Sequence, residues 1–201
     1  MKIIEEKYNW SGIFGERNRT EEIIIHHRSG NGDVQSLHDG HIKNGWAGIG
    51  YHFYIRKDGS IYRGRPLNAV GAHCVGINAI SIGICFEGNY QSEKTMPEPQ
   101  LKSGKELISY LKGLFPYVKI KNHSDCLATM CPGRYFPFEE LLKATEKQKI
   151  TSANDIIWEL MNGKYKVEIN EVNKAVNALE IAKKEDSSLY WILYKLINKE
   201  D

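Results

Sequence analysis

The chain has 201 residues, with 27 Lys and Arg against 25 Asp and Glu, for a formal net charge of +2. A length near 200 fits one generous domain, or one of about 150 residues with a small appendix, and excludes a large multidomain machine. The 41% hydrophobic, 26% charged and 10% aromatic content is that of a globular chain rather than a disordered one, and so small a net charge gives no support to a nucleic-acid binder that works by neutralising phosphates.

The opening residues, Met1 to Tyr8, lack the apolar run and small-residue cleavage site of a secretory signal, and nothing later approaches the roughly 20 apolar residues of a membrane span. The sequence therefore predicts a chain made in the cytoplasm and not inserted into a membrane. In that setting Cys74, Cys85, Cys126 and Cys131 point to metal binding or plain burial more than to a disulfide framework.

In chain order, Ile23-Ile24-Ile25-His26-His27 is a short apolar run with the pattern of a strand buried on both faces, ending in two imidazoles. Gly50 to Ile55 and Ser60-Ile61-Tyr62 flank an Asp58-Gly59 turn signal and predict a β-hairpin. Ser81 to Phe86 predicts another buried strand, in which Gly83 suggests close approach of neighbouring backbone. A Pro-containing loop at 95–99 precedes a helix, read from Leu107, Ile108, Leu111, Leu114 and Phe115 and stopped by Pro116. Pro132-Gly133 makes a turn, and 138–144 predicts a second helix.

Beyond a charged linker at 143–149 the pattern turns helical throughout. Asn154 and Ser187 are candidate N-caps, Gly163 is a candidate C′ residue, and Leu189, Ile192, Leu193, Leu196 and Ile197 share one face. The expected organisation is a domain over 1–148 and a small all-α module over 149–201, serving as a wall-binding or a dimerising unit. Residues 1–150 carry 20 basic and 16 acidic side chains, a net of +4, and 151–201 carry 7 and 9, a net of −2, so the near-neutral total conceals two units of opposite sign.

The strongest chemical signal is the set His26, His123 and Cys131. Thiolate and imidazole suit a borderline metal such as zinc, and three such ligands leave a fourth position for water, whose pKa a bound zinc lowers toward about 7. The reaction class this suggests is metal-assisted hydrolysis. On spacing alone the signal is weak, because most of a chain's histidines serve structure or solvent.

Context adds to it. The stretches Ile23 to His27, Gly45-Trp46-Ala47-Gly48-Ile49-Gly50-Tyr51-His52-Phe53, Lys57 to Arg65, Val70-Gly71-Ala72-His73, Ser81 to Ile84, Gly88-Asn89-Tyr90, and His123 through Cys131-Pro132-Gly133 occur in the order, and with the wording, of another group of proteins. Over about 120 residues the chain resembles the type 2 N-acetylmuramoyl-L-alanine amidase family, which includes phage lysozymes and peptidoglycan recognition proteins. The resemblance implies a mixed central β-sheet flanked by helices, an α/β fold, with Zn2+ held by His26, His123 and Cys131. It also implies cleavage of the amide between N-acetylmuramic acid and L-alanine in peptidoglycan.

Consecutive strand residues face opposite ways, so only one of His26 and His27 can meet the metal; His27 is then packed or hydrogen-bonded, and His52, next to Tyr51, is read as structural. Tyr51 matches the family's active-site tyrosine, as proton acceptor or oxyanion stabiliser, with a core tyrosine as the plainer reading. Thr129 stands where the phage lysozymes carry lysine and animal members commonly carry threonine; it brings a hydroxyl donor but no charge. His73 matches a histidine lining the family's substrate groove, Trp46 lies in a segment the family uses to shape that groove, and Arg65 is a candidate partner for a stem-peptide carboxylate, with loop, core and solvated-surface roles as their alternatives. His38 and His41 lie in the segment that shapes one side of the groove, and Cys85 reads as a small buried hydrophobe.

Two other functions stand beside the amidase: a recognition module that grips peptidoglycan without cutting it, which typically lacks the cysteine ligand, and a cytosolic amidase recycling soluble muropeptides. The absent secretion signal also suits a phage or prophage endolysin that reaches the wall once a holin opens the membrane. The 154–159 and 187–194 segments look similar to tails of amidases from clostridial phages and related Gram-positive hosts.

Overall fold

The computed structural model describes residues 1–115 and 118–143. The chain divides into two units, Met1–Glu146 and Lys147–Asp201, and everything described belongs to the first. The helical module expected over 149–201 and any pairing through it lie outside the described residues.

Six strands form one sheet: β1 (Ile3–Ile4), β2 (Glu22–His27), β3 (Phe53–Ile55), β4 (Ile61–Arg63), β5 (Ser81–Phe86) and β6 (Lys119–Asn122), in the spatial order β1-β4-β3-β5-β2-β6. The β3–β4 pair is the predicted hairpin, antiparallel with Tyr54 opposite Tyr62, and Gly59 supplies the positive φ of +88° at its turn. The other neighbours run parallel. The expectation of a mixed sheet flanked by helices therefore holds.

Pleating divides the interior in two. Ile23, Ile25, Phe53, Ile55, Ile82, Ile84 and Phe86 face α2 (Glu98–Leu114) and α3 (Phe138–Lys143), where Leu107, Ile108, Leu111 and Leu141 complete a dry core. Each isoleucine taken fully out of water there contributes roughly 1.5–3 kcal/mol. On the opposite face α1 (Val34–Lys43) lays Val34 and Leu37 on Tyr54 and Cys85. Asp33 caps α1, its Oδ1 accepting from Ser36 N at 2.7 Å.

Three elements depart from the sequence expectation. α2 begins at Glu98, inside the expected loop: Pro97 is its N-cap and Pro99 lies in the first turn, where a missing N–H costs nothing. α1 carries few apolar residues because two of its inward positions are histidines, His38 and His41. β6, Lys119-Ile120-Lys121-Asn122, is a polar edge strand with no apolar signature. Among the described residues no helix is long and apolar enough to cross a membrane.

Candidate metal centre

Strand register assembles the centre. β2 lies between β5 and β6, with Ile25 level with Asn122 and His26 level with Cys85. His26, the next-to-last residue of β2, thus lies beside His123, which opens a short 3-10 turn, His123–Asp125, straight after β6. The two rings lie 4.3 Å apart between centroids. The returning loop brings Cys131 in, its Sγ 3.8 Å from His26 Nδ1, and Ser124 N donates to Cys131 O at 2.9 Å to hold that loop. The Cys131–Pro132 peptide is cis.

The three residues fit a metal. One ligand atom from each of His26, His123 and Cys131 lies within 4.8 Å of the others, and Nε2 of His123 is buried with no hydrogen-bond partner. Burial, then the neighbouring His73, His123 and His27, holds the His26 imidazole well below its ordinary pKa, and burial lowers His123 as well. Both rings are therefore neutral at neutral pH, the form that offers lone pairs. Burial pushes the Cys131 thiol up to about 11, against the pull of a hydrogen bond from His27 N. That is the opposite of the depressed pKa of an activated cysteine nucleophile, so thiol catalysis is the poorer reading and metal ligation the better one.

His26 and His27 face opposite ways. His26 is 1% exposed and faces the centre, whereas the ring of His27 turns to the other face and accepts from Tyr90 N at 3.0 Å through Nδ1. Tyr51 packs beside the ligands, its ring 5.0 Å from that of His26. Burial, then Cys85 and Cys131, raises its hydroxyl well above the ordinary value, and the hydroxyl pairs with the Cys85 thiol. Cys85 is buried in the cluster under α1, the small hydrophobe expected, and its register with His26 sets it near the site.

Thr129 is exposed on the ligand loop, and its Oγ1 accepts from Cys131 N at 3.3 Å. Trp46 is 45% exposed and lies 4.7 Å from the ring of His41, which in turn lies 5.7 Å from Tyr51. His73 is buried behind His26, with its Nδ1 3.1 Å from His26 Nε2.

Arg65 is a correction. It is neither a groove arginine nor a solvated one, because it is 5% exposed, stacks on Phe14 at 4.6 Å, and donates to Ile49 O at 2.9 Å and Val70 O at 2.7 Å. His38 is likewise a brace rather than a groove residue, accepting from Ile49 N at 3.2 Å and lying 3.2 Å from Asn9 O. His52 is structural as expected, between Gly83 N at 3.0 Å and Ala69 O at 2.9 Å. All four cysteines are free.

A family model described as N-acetylmuramoyl-L-alanine amidase matches residues 16–134. Among solved structures, the N-acetylmuramoyl-L-alanine amidase LysC from Clostridium intestinale URNW is 42% identical with a TM-score of 0.70, the match covering 74% of this chain and 99% of that one. An endolysin of Enterobacteria phage K11 is 29% identical over 66% of this chain and 92% of its own length. Peptidoglycan-recognition protein SC2 of Drosophila melanogaster is 36% identical over 58% of this chain and 70% of its own.

Proposed function

The chain belongs to the N-acetylmuramoyl-L-alanine amidase family and is a peptidoglycan amidase, and from that premise we propose that it works with zinc held by His26, His123 and Cys131. The observation that carries this reading is the convergence within 4.8 Å of two neutral imidazoles and one thiol, which would bind as the thiolate, one of the imidazoles having a buried, unpartnered nitrogen. Zinc, when bound, would polarise the lactyl carbonyl and make water a competent nucleophile at neutral pH.

The remaining work falls to the chain's own groups. Tyr51, kept protonated by burial, enters the reaction as a hydrogen-bond donor toward the oxygen that gains charge, and the proton released by the attacking water leaves on the departing amine. Of the two roles expected for it, oxyanion stabiliser is therefore favoured over proton acceptor. Thr129 uses a lone pair on Cys131 N–H, which leaves its own O–H to point outward as a second donor. Trp46, half open to solvent against His41, offers a flat apolar face to the saccharide or stem peptide. The bond broken joins the lactyl carboxyl of N-acetylmuramic acid to L-alanine, and the products are a muramoyl carboxylate and a peptide with a free amino terminus.

The site of action is the cell wall, reached once a holin opens the membrane, which is the endolysin reading. A recognition-only role is disfavoured by the presence of Cys131 at its ligand position. The test is release of L-alanine amino termini from purified cell wall by the full chain, before and after chelation and after zinc is restored. Activity that persists through chelation defeats the zinc reading.

A further inference from the structure

His73 sits in a prepared slot. A Cβ on Gly71 would come within 2.5 Å of His73 Cδ2, and one on Gly83 within 2.5 Å of His73 Cγ, so the ring occupies space that only glycine on either side leaves open. Its backbone N donates to Asn78 Oδ1 at 2.8 Å, and Cys74 N donates to the same oxygen at 2.9 Å. The residue is 8% exposed. A side chain held this closely, with one nitrogen on a ligand, is placed to orient that ligand.

The hydrogen-bond directions can be worked out from the far end. Ser81 Oγ is 2.7 Å from Ile77 O, a carbonyl that only accepts, so the single hydroxyl hydrogen of Ser81 goes there. Ser81 Oγ lies 3.4 Å from His73 Nε2, and having committed its hydrogen it can only accept from that nitrogen. His73 therefore carries its proton on Nε2, and its Nδ1 is an acceptor. At 3.1 Å from His26 Nε2, that acceptor draws the His26 proton onto Nε2. The free lone pair of His26 is then on Nδ1, the nitrogen 3.8 Å from Cys131 Sγ. Reversing the order sets lone pairs of His73 and Ser81 against each other and puts a proton on His26 where a metal would bind.

We infer that His73 is a positioning residue, which together with Ser81 and the Ile77 carbonyl locks His26 in the tautomer whose Nδ1 faces the metal position. The inference rests on the zinc reading above. It replaces the groove-contact role expected for His73 with one exerted through His26. A neighbour that fixes the tautomer of a ligating histidine typically contributes about 10- to 100-fold to metal affinity.

The experiment is competition of the full-length chain against a chromophoric zinc chelator. His73→Ala is expected to weaken zinc binding by about 10- to 100-fold, and His73→Asn, whose oxygen can replace the Nδ1 acceptor, to recover most of that loss. Ser81→Ala, a milder change should His73→Ala fail to fold, is expected to weaken it by about threefold. Long-range proton–nitrogen NMR of the metal-free wild-type chain should show His26 and His73 both protonated on Nε2. Zinc affinity of His73→Ala within about twofold of wild type, a His73→Asn variant no better than His73→Ala, or His26 protonated on Nδ1 would each overturn the role. A wild-type chain that takes up no zinc at all overturns the metal reading and this role together, whereas zinc uptake with an unchanged His73→Ala overturns this role alone.

Discussion

Two regions of this molecule use buried histidine in opposite ways. In the wall formed by α1 and the segment leading into β3, His38, His41 and His52 accept a backbone N–H at Nδ1, from Ile49, Gly50 and Gly83 in turn. His38 and His52 also place Nε2 on a backbone carbonyl. These rings are cross-links between peptide groups. At the ends of β2 and β6 the histidines meet one another instead: His26 faces His73 and Cys131, and His123 keeps a buried nitrogen without a partner. A buried imidazole whose nitrogens are both spent on peptide groups has nothing left for chemistry. One that is buried and left with a lone pair keeps it available for a ligand, at a cost of about 1–3 kcal/mol for the unpartnered polar atom.

The contrast can be broken most forcefully at the ligands. Cys131→Ser and His123→Ala should each lower release of L-alanine amino termini by more than about 10³-fold while thermal unfolding of the metal-free chain changes little. If either variant keeps wild-type turnover after chelation, the ligand region is not what distinguishes the two sets. Tyr51→Phe should lower kcat by about 10²-fold with KM nearly constant; a rise in KM alone would recast Tyr51 as a binding contact.

Changes in the structural set should do the reverse. His52→Leu strips partners from Gly83 N and Ala69 O and should cost about 1–3 kcal/mol in a denaturant titration, while the folded fraction still binds zinc as wild type does. Zinc binding lost in a well-folded His52→Leu would show that the two regions are not separable.

The same burial creates a dependence on acid. Burial, opposed by the bond to Ala69, holds the His52 pKa down to about 3, and burial holds His41 down to about 4. The unfolded chain takes up these protons near pH 6.5 and the folded one does not. Both histidines therefore contribute stability that is whole above about pH 6.5 and is lost as the pH falls toward 3–4. Melting temperature measured from pH 7 down to pH 4 should decline, and His52→Leu should flatten that decline.

Much of this was legible in the sequence, for physical reasons that also mark where legibility ended. β2 announced itself as an apolar run, and strand alternation alone separated His26 from His27. The hairpin was written in Asp58-Gly59, and Gly83 signalled a close approach, although what comes close is the His73 ring and not the backbone expected. α1 stayed hidden because its inward face is partly imidazole, which no apolar periodicity detects. β6 stayed hidden because an edge strand is polar. Arg65 misled because a charged residue in a loop reads as exposed, whereas here carbonyls and the Phe14 ring satisfy it. The partners of His73 and Tyr51 depend on which strands are neighbours, and a single sequence does not encode that locally.

The register that sets His26 beside His123 also bears on when the enzyme becomes active. β2 is flanked by parallel strands that arrive much later in the chain, β5 starting at Ser81 and β6 at Lys119. Parallel pairing across such separations is a slow, late event in folding. A chain emerging from the ribosome carries His26 early, gains His123 only after β6 and Cys131 later still, so the proposed zinc site cannot be complete until residue 131 has been made, and a wall hydrolase built in this order stays inert through most of its own synthesis.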